Sequence, residues 1–334
     1  MTSIRLYPGD NRESLRRLIE KGVRVHSVVT DPPYVMESVL KRFGASDAKQ
    51  AKHGRDGALM RSSSRFVGKT WDSCEIAWDA EFWKLVLRVL VPGGFCFAFG
   101  GPRTIDRQIS AMREAGFIIY PMHAWGYSTG LPKGHPSPRG KGRVYGAAAP
   151  KVDFEPICMA MAPIERRTIK ENILHLGTGD LNIGITDDGK YPSTILYHPK
   201  AGKLDRAGSK HPTVKPVALL QYLIRHITPQ GGVILEPFAG SGTTAEAARR
   251  EGFDCILMEA EPEYIDFIHG RFNLEDNSGK AAVELELGQN SYNSEQDENK
   301  SEDVQSFDLS DLLGTTDSMD TQSVAGADLE DLLV

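Results

Sequence analysis

The residues best suited to chemistry in this sequence are Asp31, Pro32, Pro33 and Tyr34, which directly follow an apolar run. Two consecutive prolines fix φ at about −65° and restrict the residue before them, so the backbone that leaves the strand is stiff. One hydrogen-bond acceptor held beside one stacking surface suits a planar ligand with an amino group, such as a nucleobase. The alternative is a tight turn after a core strand, because turns favour Asp and Pro for local reasons.

The second candidate site is a glycine-rich loop that follows an apolar strand late in the chain. Gly240 and Gly242 allow its backbone to approach a ligand closely. Thr243 and Thr244 can cap the helix that follows. The next strand ends in Glu259, 19 residues after Gly240, where a carboxylate can accept hydrogen bonds from a ribose diol. The alternative for this stretch is tight packing alone.

This loop differs from the two common phosphate-binding motifs. It contains Gly-x-Gly but lacks the third glycine, three residues on, that a dinucleotide-binding fingerprint requires. A P-loop requires a lysine where this chain has Thr243. A nucleoside-type cofactor without a pyrophosphate therefore fits the loop better than NAD or ATP.

Strands that alternate with helices must position both loops. Residues 4–30 read as a βαβ unit, whose two strands we expect to be parallel, with Asp10 and Asp31 at one edge. Apolar runs predict further strands at 95–99, 117–125, 154–162, 233–236 and 255–258. Helical spacing predicts helices at 82–90, 104–115, 217–227 and 245–251. The alternation predicts a doubly wound, Rossmann-like α/β fold with a mixed sheet.

Three irregular stretches interrupt this pattern. Residues 35–78 are predicted to be a mobile insertion that gates or binds substrate, or else a plain solvated loop. Residues 130–143 are rich in Gly and Pro and carry no acid, and residues 163–210 lack clear periodicity. In the first of these two, basic side chains are candidate contacts to a phosphate backbone, with a solvated linker as the alternative: Lys133, Arg139, Lys141 and Arg143.

The composition is that of an ordinary soluble globular chain, with 40% hydrophobic and 25% charged residues. No apolar run is long enough for a membrane span and we read no signal peptide, so we expect a cytoplasmic protein without membrane contact. The four cysteines are isolated from one another, which argues against a zinc site and against a disulfide framework.

The net charge of −6 conceals an asymmetry along the chain. Residues 275–334 carry 16 acidic and 2 basic side chains, a net charge of −14, which leaves +8 for residues 1–274. The basic part permits a polyanionic partner. Strong negative charge and few aromatic residues predict that the acidic tail is disordered.

Three motifs in a fixed order give the sequence a family resemblance. The stretches 31–34 (Asp-Pro-Pro-Tyr), 211–216 (His-Pro-Thr-x-Lys-Pro) and 238–242 (Phe-x-Gly-x-Gly) resemble those of the S-adenosylmethionine-dependent DNA amino-methyltransferases. The order, with the catalytic loop first and the cofactor loop last, is similar to the permuted β class. The resemblance implies a methyltransferase domain at 1–274, which contains an inserted target-recognition region at 126–210 and a cofactor-binding part at 211–274.

The resemblance also implies a role for each matching residue. Asp31 and the carbonyl of Pro32 would accept hydrogen bonds from the amino group of a flipped base, while Tyr34 stacks on its ring. Thr213 and Lys215 would close over the methionine carboxylate of the cofactor. The residues expected to bind S-adenosylmethionine are Asp10, Thr213, Lys215, Glu236, Phe238, Gly240, Gly242, Thr243 and Glu259.

The predicted function is site-specific methylation of adenine N6 in double-stranded DNA, as in restriction-modification systems. Family members with Asp in the first motif position mostly modify adenine, and those with Ser tend to modify cytosine N4, which is the alternative target. Cytosine C5 chemistry is excluded, because it needs a cysteine nucleophile, normally after proline, and no cysteine here follows a proline. From a different class, the alternatives are a non-catalytic nucleic-acid-binding protein with this fold and a methylase of RNA. The sequence is compatible with a monomer or a dimer.

The acidic tail contains an internal repeat, Asp-Leu-x-Asp-Leu-Leu, at 308–313 and 328–333. Leucine spacing of three and four residues gives each copy a small apolar face. Our hypothesis is a pair of motifs that fold on a partner protein. The alternatives are an acidic strip that competes with DNA for the basic part of the chain, and a solubilising tail.

Overall fold

The fold is a mixed β-sheet covered by helices. The computed structural model of the chain describes residues 2–34, 51–53, 59–61, 75–128, 151–185 and 191–274. The strands are β1 (Ile4–Pro8), β2 (Val25–Thr30), β3 (Ala51–His53), β4 (Leu59–Arg61), β5 (Leu90–Phe99), β6 (Ile118–Ile119), β7 (His123–Gly126), β8 (Phe154–Met161), β9 (Ile195–Tyr197), β10 (Val233–Glu236) and β11 (Asp254–Glu259). The helices are α1 (Asn11–Glu20), α2 (Ala80–Val89), α3 (Ile105–Ala115), α4 (Ile169–Leu176), α5 (Lys203–Arg206), α6 (Val217–Ile227), α7 (Thr243–Glu251) and α8 (Pro262–Phe272), with a 3₁₀ turn at Glu75–Trp78.

The strand order explains why distant parts of the sequence meet. Within the described residues a nine-stranded sheet has the order β1-β11-β10-β2-β5-β8-β7-β9, with β6 beside β8, and β3 pairs separately with β4. Strands β1, β11, β10, β2 and β5 are parallel, whereas β8 is antiparallel to β5 and β7, which confirms the predicted α/β fold with a mixed sheet. β1 and β2 are parallel as expected, but β11 and β10 lie between them. The ends of β2 and β10 are therefore neighbours, although 206 residues separate Thr30 from Glu236.

The side chains of the central strands alternate between two cores. Phe95, Phe97 and Phe99 of β5 share one core with α6 and α7, while the residues between them face the other side of the sheet. There α2 contacts both α1 and α3, and the fully buried Trp83 donates a hydrogen bond from Nε1 to the carbonyl of Ala77 at 2.9 Å. Because both faces are covered, the ends of the strands are left as the place for a ligand.

Two predicted elements differ from the structure. The strand expected at 117–125 is two strands, β6 and β7, because Pro121 has no N–H and lies between them. Residues 91–94, which separate the helix predicted at 82–90 from the strand predicted at 95–99, are part of β5, which begins at Leu90. Gly93, at a φ of +81°, lies where the register of β5 with β2 is shifted, so the glycine allows an irregularity within a strand instead of a turn.

Regular structure also occurs where none was predicted. The stretch 163–210 contains α4, β9 and α5, of which α4 begins at a side-chain cap, with the Glu171 N–H donating to Thr168 Oγ1 at 3.2 Å. It ends at Gly177 in the left-handed conformation, with a φ of +67°. Helix α8, which carries Pro262 in its first turn, was also not predicted. These elements are short or have little hydrophobic periodicity, so the sequence indicates them only weakly.

Several predicted features lie outside the described residues. These are most of the insertion at 35–78, the tail at 275–334 and the candidate phosphate contacts Lys133, Arg139, Lys141 and Arg143. Among the described residues, no group of three or more His, Cys, Asp or Glu is arranged to hold a metal ion. No helix of the described part is long and apolar enough to cross a membrane. The free cysteines there are buried: Cys96, Cys158 and Cys255.

The folded state should become less stable on acidification because His123 is buried among aromatic rings. Its exposure is 5%, its ring centroid lies 5.0 Å from that of Phe97, and burial lowers its pKa from 6.5 to about 4. Between these pH values the unfolded chain takes up a proton that the folded chain excludes. The free energy of unfolding should therefore decrease by roughly 1–3 kcal/mol as the pH falls through this range.

Urea unfolding of His123→Gln at pH 7 and pH 5 tests this expectation. The variant should show a smaller loss of stability between the two pH values than the wild type, because its residue 123 does not titrate. The matched control is His175→Gln, which alters an exposed histidine of α4 and should keep the wild-type dependence. Equal pH dependence in His123→Gln and in the wild type would contradict the prediction.

Candidate active site

The loops that follow β1, β2, β10 and β11 line a cavity of about 380 Å³ at the carboxyl edge of the parallel strands. This volume is typical of a site for a small molecule or cofactor. The predicted catalytic and cofactor residues that line it are Asp10, Asp31, Pro32, Pro33, Tyr34, Thr213, Lys215, Glu236, Phe238, Gly240, Thr243 and Glu259. Gly242, which we expected to line the cofactor, is outside the lining.

The loop 31–34 is held against the segment that begins α3. Pro32 and Pro33 are buried, and the Thr104 hydroxyl donates a hydrogen bond to the backbone carbonyl of Tyr34 at 3.0 Å. A Cβ atom at Gly101 would lie 2.8 Å from Thr104 Oγ1 and 3.3 Å from Tyr34 Cβ, so glycine permits this close approach. The stiffness that the prolines impose is thus reinforced by tertiary contacts.

Asp31 is the centre of a largely buried network. Its Oδ1 accepts a hydrogen bond from the Tyr34 hydroxyl at 2.7 Å, and its Oδ2 accepts one from Lys215 Nζ. Glu155 of β8 joins both donors, since its Oε2 lies 3.0 Å from the Tyr34 oxygen and 3.4 Å from Lys215 Nζ. We call these four residues the Asp31 cluster.

Burial and charge together fix the protonation of the two donors. Burial acts to lower the pKa of Lys215, but the carboxylates of Asp31 and Glu155 outweigh it and the net shift is upward, so the ammonium is charged. Burial, followed by the charges of the same two carboxylates, raises the pKa of Tyr34 well above its usual value. The phenol is therefore a neutral hydrogen-bond donor.

The structure gives Lys215 a partner that the sequence does not indicate. The resemblance implies that its ammonium closes over the methionine carboxylate, and in the structure it bonds to Asp31 at the cavity wall. The Lys215 side chain is 7% exposed, and a buried charge of this kind requires carboxylate partners. Glu155, the second partner, was not singled out from the sequence. The available signal was one acid in the otherwise apolar run of β8.

The glycine-rich loop is shaped by two glycines with different tasks. Gly240 has a φ of +53°, and a Cβ atom there would lie 3.1 Å from His211 Nε2, so the loop and the 211–216 motif approach closely at this point. Gly242 has a φ of +71° and is the N-cap of α7, and a Cβ atom there would lie 2.9 Å from the ring of Phe272. It therefore serves helix packing, which explains why it is absent from the cavity wall.

The threonines after Gly242 do not cap α7, so that prediction is wrong. No side chain caps this helix. Thr243 exchanges a hydrogen bond with Ser241 at 2.7 Å, and the Thr244 hydroxyl donates to Glu236 Oε2 at 2.9 Å. The hydroxyls are thus used to hold the loop that precedes the helix.

Glu236 links the two loops that meet at the cavity. Its Oε1 accepts hydrogen bonds from the Thr30 hydroxyl at 2.6 Å and from the Phe238 N–H at 3.0 Å, while its Oε2 accepts from Thr244. Burial raises its pKa to about 8, although these three donors act to lower it. Thr30 immediately precedes Asp31, so this carboxyl ties the target loop to the cofactor loop.

Glu259 ends β11 and organises the opposite wall. Its Oε2 accepts a hydrogen bond from the Gly240 N–H at 2.6 Å, and its Oε1 accepts from the N–H groups of Ala260 and Glu261 at 3.0 and 2.9 Å. Burial raises its pKa even though these backbone donors act to lower it. A carboxylate has about four lone-pair positions, and three are occupied here, so one remains for a ligand hydroxyl.

The lining fits a nucleoside-type cofactor. Gly240 lines the cavity at a φ of +53°, where a side chain would press on His211, and Glu259 retains one acceptor position for a ribose hydroxyl. The Phe238 ring, 5.3 Å from that of Phe82, adds apolar surface. Asp10 caps α1 through the N–H groups of the next turn and lines the cavity beside Glu259, because Gly9 N–H bonds to the Glu259 carbonyl at 2.8 Å. The residues present are those that such a group requires.

Known proteins with related sequences identify the family of this chain. The family described as DNA methylase, with N6 and N4 members, matches residues 25–269. Type II methyltransferase M2.DpnII of Streptococcus pneumoniae is 29% identical over 249 residues, which are 75% of this chain and 82% of that protein. Type II methyltransferase M.ScaI of Streptomyces caespitosus is 35% identical over 94 residues, which are 27% of this chain and 31% of that protein.

Solved structures agree in fold. The M1.HpyAVI–SAM complex is similar with a TM-score of 0.52 and 21% identity, over 81% of this chain and 100% of that one. PvuII DNA methyltransferase, described as cytosine-N4-specific, has a TM-score of 0.52 and 21% identity, over 83% of this chain and 88% of that one. The family resemblance of the three motifs is thereby confirmed: the chain belongs to the N6/N4 DNA methylase family and is an S-adenosylmethionine-dependent DNA amino-methyltransferase.

Proposed function

We propose that this enzyme methylates the exocyclic N6 of adenine in double-stranded DNA, as the modifying partner of a restriction-modification system. The observation that carries the proposal is Asp31, which lines the cavity at the first position of its motif. Family members with Asp there mostly modify adenine, and those with Ser tend to modify cytosine N4. The carboxylate is suited to accept hydrogen bonds from an amino group.

The target amine must be activated because its lone pair is delocalised into the aromatic ring. Tyr34 and Lys215 each occupy one oxygen of Asp31, and each oxygen keeps a second lone pair for a hydrogen of the amine. With the Pro32 carbonyl as a further acceptor, Asp31 favours a pyramidal nitrogen and stabilises the positive charge that develops on it. Tyr34 offers its ring face for stacking on a base that has left the duplex.

The cofactor occupies the other wall in this proposal. S-adenosylmethionine supplies a methyl group on its sulfonium centre. Glu259 would accept a hydrogen bond from a ribose hydroxyl, Gly240 and Phe238 would line the middle of the cofactor, and Thr213 would lie at its methionine end. Because Glu236 ties the two loops together, the amine and the methyl donor are held in register, and positioning of this kind supplies much of the rate.

The region 126–210 is proposed to contact DNA beside the target base. Its described part contains Lys200, which lines the cavity and holds its ammonium 4.0 Å from the centroid of the Tyr127 ring. A cation beside aromatic surface suits phosphate and base contacts near an extruded nucleotide. Lys133, Arg139, Lys141 and Arg143 are proposed to extend these contacts along the phosphate backbone.

Product analysis tests the proposed target. The purified chain is incubated with unmethylated genomic DNA and methyl-labelled S-adenosylmethionine, and the DNA is then digested to nucleosides. Label should elute with N6-methyladenine. Label in N4-methylcytosine would overturn the assignment of adenine as the target base. Label that appears only when RNA replaces DNA would overturn the assignment of DNA as the substrate. Absence of label despite bound cofactor would indicate a non-catalytic nucleic-acid-binding protein.

A further inference from the structure

Glu155 reaches the target side of the cavity from β8, a strand that carries none of the three family motifs. Its side chain is 16% exposed and that of Lys215 is 7% exposed, so both charges are largely removed from water. Its Oε2 faces the same two donors that hold Asp31, the Lys215 ammonium and the Tyr34 hydroxyl. A buried carboxylate in this position changes the charge balance around Asp31.

The formal charges of the Asp31 cluster sum to −1. Asp31 and Glu155 each contribute −1, Lys215 contributes +1, and the neutral phenol of Tyr34 contributes nothing. Without Glu155, the cluster would be neutral and Lys215 would be bonded to Asp31 alone. An ammonium within a few ångströms would then repel the positive charge that develops on the target nitrogen. At short range and with little exposure to water, this electrostatic repulsion is strong.

We propose that Glu155 is a positioning residue that offsets the charge of Lys215, so that Asp31 keeps its negative charge for the target amine. Lys215 then fixes the orientation of the Asp31 carboxylate without cancelling its negative charge. The Tyr34 hydroxyl has one hydrogen for two carboxylates, at 2.7 Å from Asp31 and 3.0 Å from Glu155. Glu155 therefore contacts both donors that hold Asp31, the Tyr34 hydroxyl and the Lys215 ammonium.

The inference rests on amino-methyl transfer to DNA but not on the identity of the base. Its test measures the single-turnover rate of methyl transfer, counted as methylated product of either base. A cytosine product would overturn the adenine assignment and leave this inference standing. Single-turnover conditions are required because product release, not chemistry, often limits kcat.

Three variants separate charge from structure. Glu155→Gln keeps the size of the side chain and should lower the single-turnover rate by about 10- to 100-fold, because the cluster loses the charge that offsets Lys215. Glu155→Asp keeps the charge and should retain most of the rate. The double variant Glu155→Gln/Lys215→Met restores the net charge of −1 and should be faster than Glu155→Gln. Cofactor affinity should stay close to wild type in Glu155→Gln.

The control is Glu165→Gln, an exposed carboxylate beyond the end of the same strand, which should leave the rate and the unfolding midpoint unchanged. An unchanged rate in Glu155→Gln, or a double variant no faster than Glu155→Gln, would overturn the proposal. If Glu155→Gln fails to fold, the comparison uses Lys215→Met as the parent. In that background Glu155→Gln should not lower the rate, and a clear decrease would overturn the charge argument.

Discussion

Replacing Asp31 with asparagine should lower the single-turnover rate of methyl transfer by at least about 10²- to 10³-fold, the usual cost of removing one preorganised electrostatic group from an active site. Asparagine has nearly the shape of aspartate, but it presents one acceptor oxygen and an amide that donates. The target amine would lose an acceptor and face a donor. The variant also removes the main partner of Lys215, so the buried ammonium would rely on Glu155 alone.

Cofactor affinity should be nearly intact in Asp31→Asn, because the residues assigned to the ribose and the methionine, Glu259 and Thr213, lie in other segments of the chain. Calorimetric titration with S-adenosylmethionine measures this separately from transfer. Asp106→Asn, an exposed acid in the first turn of α3, is the matched control and should transfer methyl groups at the wild-type rate. Parallel loss of transfer and of cofactor binding in Asp31→Asn would mean that the loop 31–34 is structural rather than catalytic.

The second large effect is expected at Glu259, and it should fall on the cofactor. In Glu259→Gln one of the two oxygens becomes an amide nitrogen, which cannot accept from the backbone N–H groups that now converge on the carboxylate. Hydrogen bonds to a charged group contribute about 1.5–3 kcal/mol each. Loss of one such bond should raise the Kd for S-adenosylmethionine by roughly 10- to 100-fold.

Titration of the cofactor and of a DNA duplex into Glu259→Gln separates the two binding functions. The affinity for DNA should change little, because the carboxylate lies on the cofactor side of the cavity. The control is Glu20→Gln, a residue that ends α1 and lies outside the cavity lining. Wild-type affinity for the cofactor in Glu259→Gln would exclude a ribose contact, and an equal loss of DNA affinity would point to a general collapse of the loop.

The parts of the site that local rules determine were predictable from the sequence. Two prolines after an apolar run specify a stiff loop, and Gly240 with Glu259 at the next strand end specifies a close approach to a ligand. The order of strands then places these loops side by side at the carboxyl edge of the sheet. The predicted catalytic residues all line the cavity because their loop follows a parallel strand.

The Asp31 cluster could not be predicted in the same way. Glu155 lies in an apolar strand that is antiparallel to β5, and only that pairing brings it to the edge where β2 ends. The family resemblance implies a contact of Lys215 with the cofactor. The partner of Lys215 in the structure, Asp31, is 184 residues away, and the preference of a buried ammonium for two carboxylates is a property of the folded chain.

The glycines show the same limit on a smaller scale. Gly240 and Gly242 are two residues apart and both have positive φ, yet one faces the cavity and the other caps α7 against Phe272. The sequence indicates that both positions favour glycine, but it does not indicate which part of the folded chain packs against each of them. Gly93 is likewise a residue type that favours turns. In the fold, however, the neighbouring strands pair with this part of the chain and keep it within β5.

The central claim is that the loop 31–34 presents an adenine amino group to the methyl donor, and a base-resolved map of DNA modification tests it most directly. The full chain and Asp31→Asn are expressed in a host that lacks DNA methylation, and the genomic DNA of each is mapped. We predict N6-methyladenine at one recurring sequence with the wild-type chain and none with Asp31→Asn. Unmodified adenine in the presence of folded, cofactor-binding wild-type protein, or equal modification by the variant, would contradict the account.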